Sequence, residues 1–122
     1  MSEAQRRFQR FIVSAGAFKR QRVRAASIIG KLKGWKDCKV QDISQAGALV
    51  LAGSIFDMGD AVQVELFPSG DEAMIFDGEV VNLGREHATG LYRLGIRLNT
   101  PQPGSAEMRF LDTLSERFRP CP

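Results

Sequence analysis

From Ala25 onward the chain reads as short strand-like runs separated by turn signals. The segment "DCKVQDI" (37–43) turns Cys38 and Val40 one way and Asp37, Lys39 and Gln41 the other. "SQAG" (44–47) is a tight connection to "ALVLA" (48–52), a largely apolar strand. "GSIFDMGD" (53–60) is a loop. "AVQVELF" (61–67) alternates Val62, Val64 and Leu66 with Gln63 and Glu65. "PSGDE" (68–72) is a turn, and "AMIFDGEVVNL" (73–83) is a long strand with a bulge or bend expected at Gly78. After the hairpin loop "GREHATG" (84–90), "LYRLGIRL" (91–98) is the last strand. Upstream, "ASIIGKLK" (26–33) is read as the first strand, turned by Gly34 and Trp35.

The period then changes. In "SAEMRFLDTLSERF" (105–118), Met108, Leu111, Leu114 and Phe118 recur at helical spacing. Ser105 is placed to cap the helix, Glu107 suits its first turn, and Pro120 stops it. Residues 1–24 lack strand alternation. "EAQRRFQRF" (3–11) is read as a short helix that stacks Arg6 on Arg10, and Gly16 interrupts it. The expected architecture is mostly β: a six-stranded antiparallel β-barrel with a C-terminal α-helix over about 105–118. A basic extension (1–17) precedes the barrel domain (18–122).

Charge sharpens this picture. The 122 residues carry a net charge of +3. Residues 1–39 hold eleven basic and two acidic side chains, and residues 40–122 hold six basic and twelve acidic. A positive N-terminal third on an acidic barrel points to an anionic partner. Cys38 and Cys121 do not make a disulfide framework; both are expected to be reduced, in a cytoplasmic protein. No apolar run is long enough to span a bilayer, and "FIVSAGAF" followed by "KRQR" does not read as a secretory signal.

Catalytic groups do not converge. The single histidine, His87, sits in a hairpin loop beside Glu86 without a second ligand, so no metal site is expected. The serines lack an identifiable base, and no glycine-rich loop has a phosphate-binding pattern. An enzyme is not the expected reading. A nucleic-acid partner is not expected either, because the barrel portion is acidic and lacks an aromatic-rich strand face.

The order basic arginines, strand, turn, strand, D-x-S-x-x-G, strand resembles the PilZ domain, the bacterial receptor family for cyclic di-GMP. "DISQAG" (Asp42, Ser44, Gly47) matches its (D/N)-x-S-x-x-G, and "YRLGIRL" (92–98) is similar to its closing strand before a terminal helix. The upstream R-x-x-x-R has two matches: Arg20 to Arg24, and Arg6 to Arg10. Arg20 and Arg24 are favoured because Arg24 directly precedes the first expected strand, with Arg22 and Lys19 as helpers. Arg6 and Arg10 are the alternative.

The resemblance implies a split-barrel fold and a ligand site made of Arg20, Arg22, Arg24, Asp42, Ser44 and Gly47, with no further cofactor. Guanidinium groups suit phosphates and the O6 and N7 acceptors of guanine. A carboxylate at 42 suits the guanine N1–H and amine. For Asp42 and Ser44 to flank an inward Ile43, a bulge near Gln41 must break the alternation that starts at Val40. The implied function is a receptor that orders an arginine-rich arm (Lys19–Arg24) on ligand binding. It would then signal to an unidentified partner protein controlling motility, adhesion or exopolysaccharide. The alternative is a ligand-independent adaptor of the same family.

Overall fold

A computed structural model describes residues 9–70 and 72–122. The elements run β1 (Phe11–Ile12), β2 (Phe18–Ala25), α1 (Ile28–Lys33), β3 (Lys36–Ile43), β4 (Gly47–Ala52), β5 (Ala61–Pro68), β6 (Met74–Arg85), β7 (Tyr92–Leu98), α2 (Ala106–Asp112), α3 (Leu114–Arg117) and β8 (Arg119–Pro120). Strands pair antiparallel in the order β2-β5-β6-β7-β4-β3, and a β2–β3 contact closes the six-stranded barrel. The inward residues fill it: Val23, Val40, Val50, Val80 and Leu94 are fully buried. That is the outcome of period-2 alternation on a sheet with one wet face.

Five of the six barrel strands lie where the alternation puts them; the first does not. "ASIIGKLK" is not a strand. Ser27 is extended and its Oγ accepts a hydrogen bond from Gly30 N–H at 3.0 Å, which starts α1. Gly30 is buried, and a Cβ there would fall 2.4 Å from Ala25 Cβ, so the helix lies flush on the end of β2. Gly34, at φ +82°, ends it. The first barrel strand is instead "FKRQRVRA", the segment expected to be an arm. Its full length pairs with β5, from Phe18 opposite Pro68 to Ala25 opposite Val62.

The barrel seam is short. β2 meets β3 only at Arg22–Asp37 and Val23–Lys36. Beyond it the β3 edge is taken over by other partners. The Gln21 side chain accepts from Val40 N–H at 2.7 Å, Val13 N–H donates to the Gln41 carbonyl at 3.1 Å, and β1 pairs with Asp42 and Ile43. β1 in turn carries β8 on its outer edge. Residues 11–13, assigned by pattern to the extension, are therefore attached to the barrel, and Val13 is buried in its core. The helix expected over 3–11 lies largely outside the described residues.

The C-terminal helix forms with Ser105 as its cap, accepting from Met108 N–H at 3.1 Å, but it breaks at Thr113 into α2 and α3. Phe110, Leu111 and Leu114 are buried beneath it. Phe110 packs against Phe18, Phe76 and Phe118 with ring centroids 5.8–6.2 Å apart, closing one end of the barrel. Beyond α3 the chain returns at once as β8, with Pro120 inside that strand.

Candidate functional site

The D-x-S-x-x-G segment spans the end of β3, a turn and the start of β4. Val40 faces Val50 while Asp42 faces Leu49, so Gln41 is an extra residue on β3. This is the bulge that the alternation required. It leaves Val40 and Ile43 both buried in the barrel and turns Asp42 to the outside.

Ser44 is buried and its hydroxyl is fully engaged. It accepts from Ala46 N–H at 3.1 Å and Gly47 N–H at 3.0 Å, and Ser44 N–H donates to the Gly47 carbonyl at 2.7 Å. Gly47 crosses β7 so closely that a Cβ would sit 2.9 Å from the Ile96 carbonyl oxygen. Ser44 and Gly47 thus build the turn, and the group the turn presents is Asp42.

Opposite Asp42 is Arg10. Its Nε approaches Asp42 Oδ1 to 2.8 Å, with the Asp42 side chain 16% exposed and Arg10 52%. The contact is an ion pair without hydrogen-bond alignment: Oδ1 is buried and accepts no hydrogen bond among the described residues. A carboxylate oxygen in that state lacks a donor, which is costly unless something supplies one. The Arg10 carbonyl accepts from Cys121 N–H at 2.8 Å, tying the same residue to the C-terminal segment. Asp42, Ile12 and Arg119 lie side by side across β3, β1 and β8, so their side chains share one face. Arg119 is an exposed cation in this row; by pattern it suits the last turn of the C-terminal helix, and nothing local announces a two-residue strand. Burial, together with the nearby Asp42 carboxylate, pushes the Cys121 thiol up from its usual value.

Arg20, Arg22 and Arg24 are not brought to Asp42. They project from the outer face of β2, and Arg22 crosses to β3 at Asp37, about 16 Å along the strand from Asp42. Arg20 and Arg22 both hold Glu65, Nε to Oε1 at 2.8 and 2.9 Å, and Arg22 Nη2 reaches Oε2 at 3.1 Å. Hydrogen bonding from Arg22, reinforced by Arg20, holds the Glu65 carboxyl below its ordinary value against the opposing pull of burial. Arg24 donates to Gln63 at 3.0 Å and stacks on Trp35 at 4.2 Å; Arg20 stacks on Phe67 at 4.9 Å. Trp35 is half-buried under Arg24 and Arg22 rather than in the core. Arg6, the partner of Arg10 in the second R-x-x-x-R, lies outside the described residues.

Elsewhere, burial and the Asp37 charge push the Cys38 thiol to about 12, so it stays protonated. No helix among the described residues is long and apolar enough to cross a membrane.

Comparisons with known proteins agree with this architecture. The solved PilZ domain with c-di-GMP of YcgR from Escherichia coli superposes with a TM-score of 0.59, covering 92% of each chain at 15% sequence identity. At that identity the likeness establishes the fold. No curated protein matches the sequence. The family profile of the PilZ domain matches residues 4–115, a stretch that runs from ahead of Arg10 through the barrel and into α3. With the closed barrel and the bulged Asp42 turn in place, that match shows that the chain belongs to the PilZ domain family.

Proposed function

We propose that the protein is a cyclic di-GMP receptor whose site lies at the outer edge of β3, formed by Asp42 and Arg10 with Arg119, Arg6 being the sequence partner of Arg10 in R-x-x-x-R. The observation that carries this reading is the buried Oδ1 of Asp42, which sits 2.8 Å from Arg10 Nε yet accepts no hydrogen bond among the described residues. Guanine offers an N1–H and an exocyclic amine to such an oxygen. Displaced from Asp42, Arg10 is free to take a phosphate or the O6–N7 edge of the base. Ser44 and Gly47 act by holding the turn. Arg20, Arg22 and Arg24 act by holding β2 to β5 and Trp35, so the arm that responds to ligand is the segment around Arg10, not Lys19–Arg24.

The ligand's differential affinity must reside in that exchange of partners at Arg10. Because the Arg10 carbonyl is bonded to Cys121 and β8 rides on β1, a change at Arg10 reaches the C-terminal edge, where a partner protein would read it. Calorimetric titration with cyclic di-GMP tests the reading. Saturable binding is expected; absence of heat and of any competition at millimolar ligand would leave a ligand-independent adaptor of the same family in its place.

A further inference from the structure

The helix α1 lies at the end of the barrel away from the Asp42 turn. Gly30 presses onto Ala25, and the opposite side of the helix is bare. At about 100° per residue, Ile28, Leu32 and Ile29 fall within one arc facing away from Gly30. They are 82%, 82% and 67% exposed, and Ile55 on the adjoining 53–60 loop is 70% exposed. Ile29 and Ile55 both line one cleft of about 360 Å³, which sets the loop isoleucine beside the apolar arc of the helix. No element of the barrel needs these side chains. Three large aliphatics on a six-residue helix, each left in water, cost solubility with no return in packing.

The charge around the ridge is specific. On the same helical wheel Lys31 stands on one shoulder of the apolar arc and Lys33 on the other, both exposed, and Lys36 follows one residue into β3. Asp57 and Asp60 line the cleft together with Arg24, Lys33 and Lys36, and Asp60 accepts from Asp57 N–H at 2.9 Å. The cleft is therefore mixed in charge, while the helix itself carries Lys31 and Lys33 and no acid. The shape is convex and the helix short. A groove-bearing protein would need a longer helix to fill it, whereas a lipid surface accepts a protruding ridge without a matching shape. Lysine stems lie along apolar surface with their ammonium groups raised to the headgroups.

We infer that α1, with Ile28, Ile29 and Leu32 between Lys31 and Lys33 and with Ile55 beside them, is a reversible docking face for an anionic lipid bilayer. The inference is independent of the cyclic di-GMP site. Two apolar contacts or two lysines make the difference between bound and free, since a single short ridge anchors only weakly.

Co-sedimentation of the full chain with vesicles tests it. Binding is expected with phosphatidylcholine and phosphatidylglycerol in equal parts, but not with phosphatidylcholine alone, and it should weaken as salt is raised. The Ile28→Ser, Leu32→Ser double variant should bind at least about tenfold more weakly, and Lys31→Glu, Lys33→Glu at least about fivefold more weakly. Both should keep the wild-type unfolding midpoint, because all four side chains are exposed. Wild-type protein that ignores the anionic vesicles would overturn the inference, as would a serine variant that sediments as well as wild type. If the wild type instead forms a dimer by light scattering that the serine variant dissolves, with vesicles unbound, the ridge is an interface between two copies.

Discussion

Two groups of arginine occupy the same barrel and do different work. On β2, Arg20 and Arg22 converge on one carboxylate, Glu65, which is 7% exposed and receives three N–H contacts; Arg24 is spent on Gln63 and Trp35. At the edge of β3, Arg10 stands against Asp42 in a single ion pair, half in solvent, and leaves Oδ1 without a hydrogen bond among the described residues. Among the described residues, both oxygens of the first group's carboxylate accept hydrogen bonds and Oδ1 of the second's does not. On the proposed reading, arginine density does not mark the phosphate site; a guanidinium whose carboxylate partner can accept from the ligand instead does, because the exchange then leaves no buried charge unpaired.

The largest effect that would break this comparison is on ligand affinity. Arg10→Ala and Asp42→Ala should each weaken cyclic di-GMP about 100-fold in a calorimetric titration, the value of losing a hydrogen bond to a charged group in a desolvated contact. Arg24→Ala should leave affinity within about twofold, because its contacts are to Gln63 and Trp35. The opposite ranking would return the site to β2.

The pairing of Arg10 with Asp42 could not be singled out from sequence, and the reason is physical. D-x-S-x-x-G was legible because turn chemistry is local: a serine that caps two amides and a glycine under a carbonyl need only their neighbours. Even the bulge at Gln41 was required by the alternation, since Val40 and Ile43 cannot both face inward without it. Which arginine meets Asp42 depends instead on strand pairing between residues some thirty positions apart. The strand reading failed at one point. "ASIIGKLK" has strand-like composition, so Arg24 looked like the residue entering the first strand. In the fold, Ser27 caps a helix and Gly30 needs to lie against Ala25, so the strand falls one segment earlier. The missed signal was there in the charges. Arg20, Arg22 and Arg24 themselves alternate, with Gln21 and Val23 turned inward, and Arg22 lands opposite Glu65. A strand whose outer face is all arginine does not look like a strand when only apolar residues are scored. At Gly78 a bulge was expected; it falls at Val81 instead, while Gly78 is needed because a Cβ would lie 2.5 Å from the Arg97 carbonyl oxygen.

The next effect is on stability and sharpens the other half of the comparison. Glu65→Ala removes the common acceptor of Arg20 and Arg22 and leaves Arg22, 28% exposed, beside a small cavity. Because both cations keep partial access to water, the cost should be about 2 kcal/mol rather than that of a fully buried pair. Denaturant unfolding should read it as a lower midpoint at unchanged slope, and cyclic di-GMP affinity should not move. A variant that lost affinity while keeping stability would mean that Glu65 orients the site rather than the barrel.

The smallest effect is the pH dependence that the same carboxylate imposes. Glu65 is held below its ordinary value of 4.5, chiefly by the hydrogen bond from Arg22. A folded value below the unfolded one means that the unfolded chain takes up the proton first as pH falls. The stabilisation from this group is therefore complete above about 4.5 and is lost as pH drops from there through the lower folded value. Glu65→Gln keeps the shape and one acceptor but carries no charge to lose. Comparing the two proteins cancels the other acids, which titrate in both. The wild type should exceed the glutamine variant in unfolding free energy near neutrality, and the gap should close on acidification below 4.5. A gap that stays constant down to pH well under that value would mean that Glu65 is held by packing, and that its two arginines are no more committed to it than Arg10 is to Asp42.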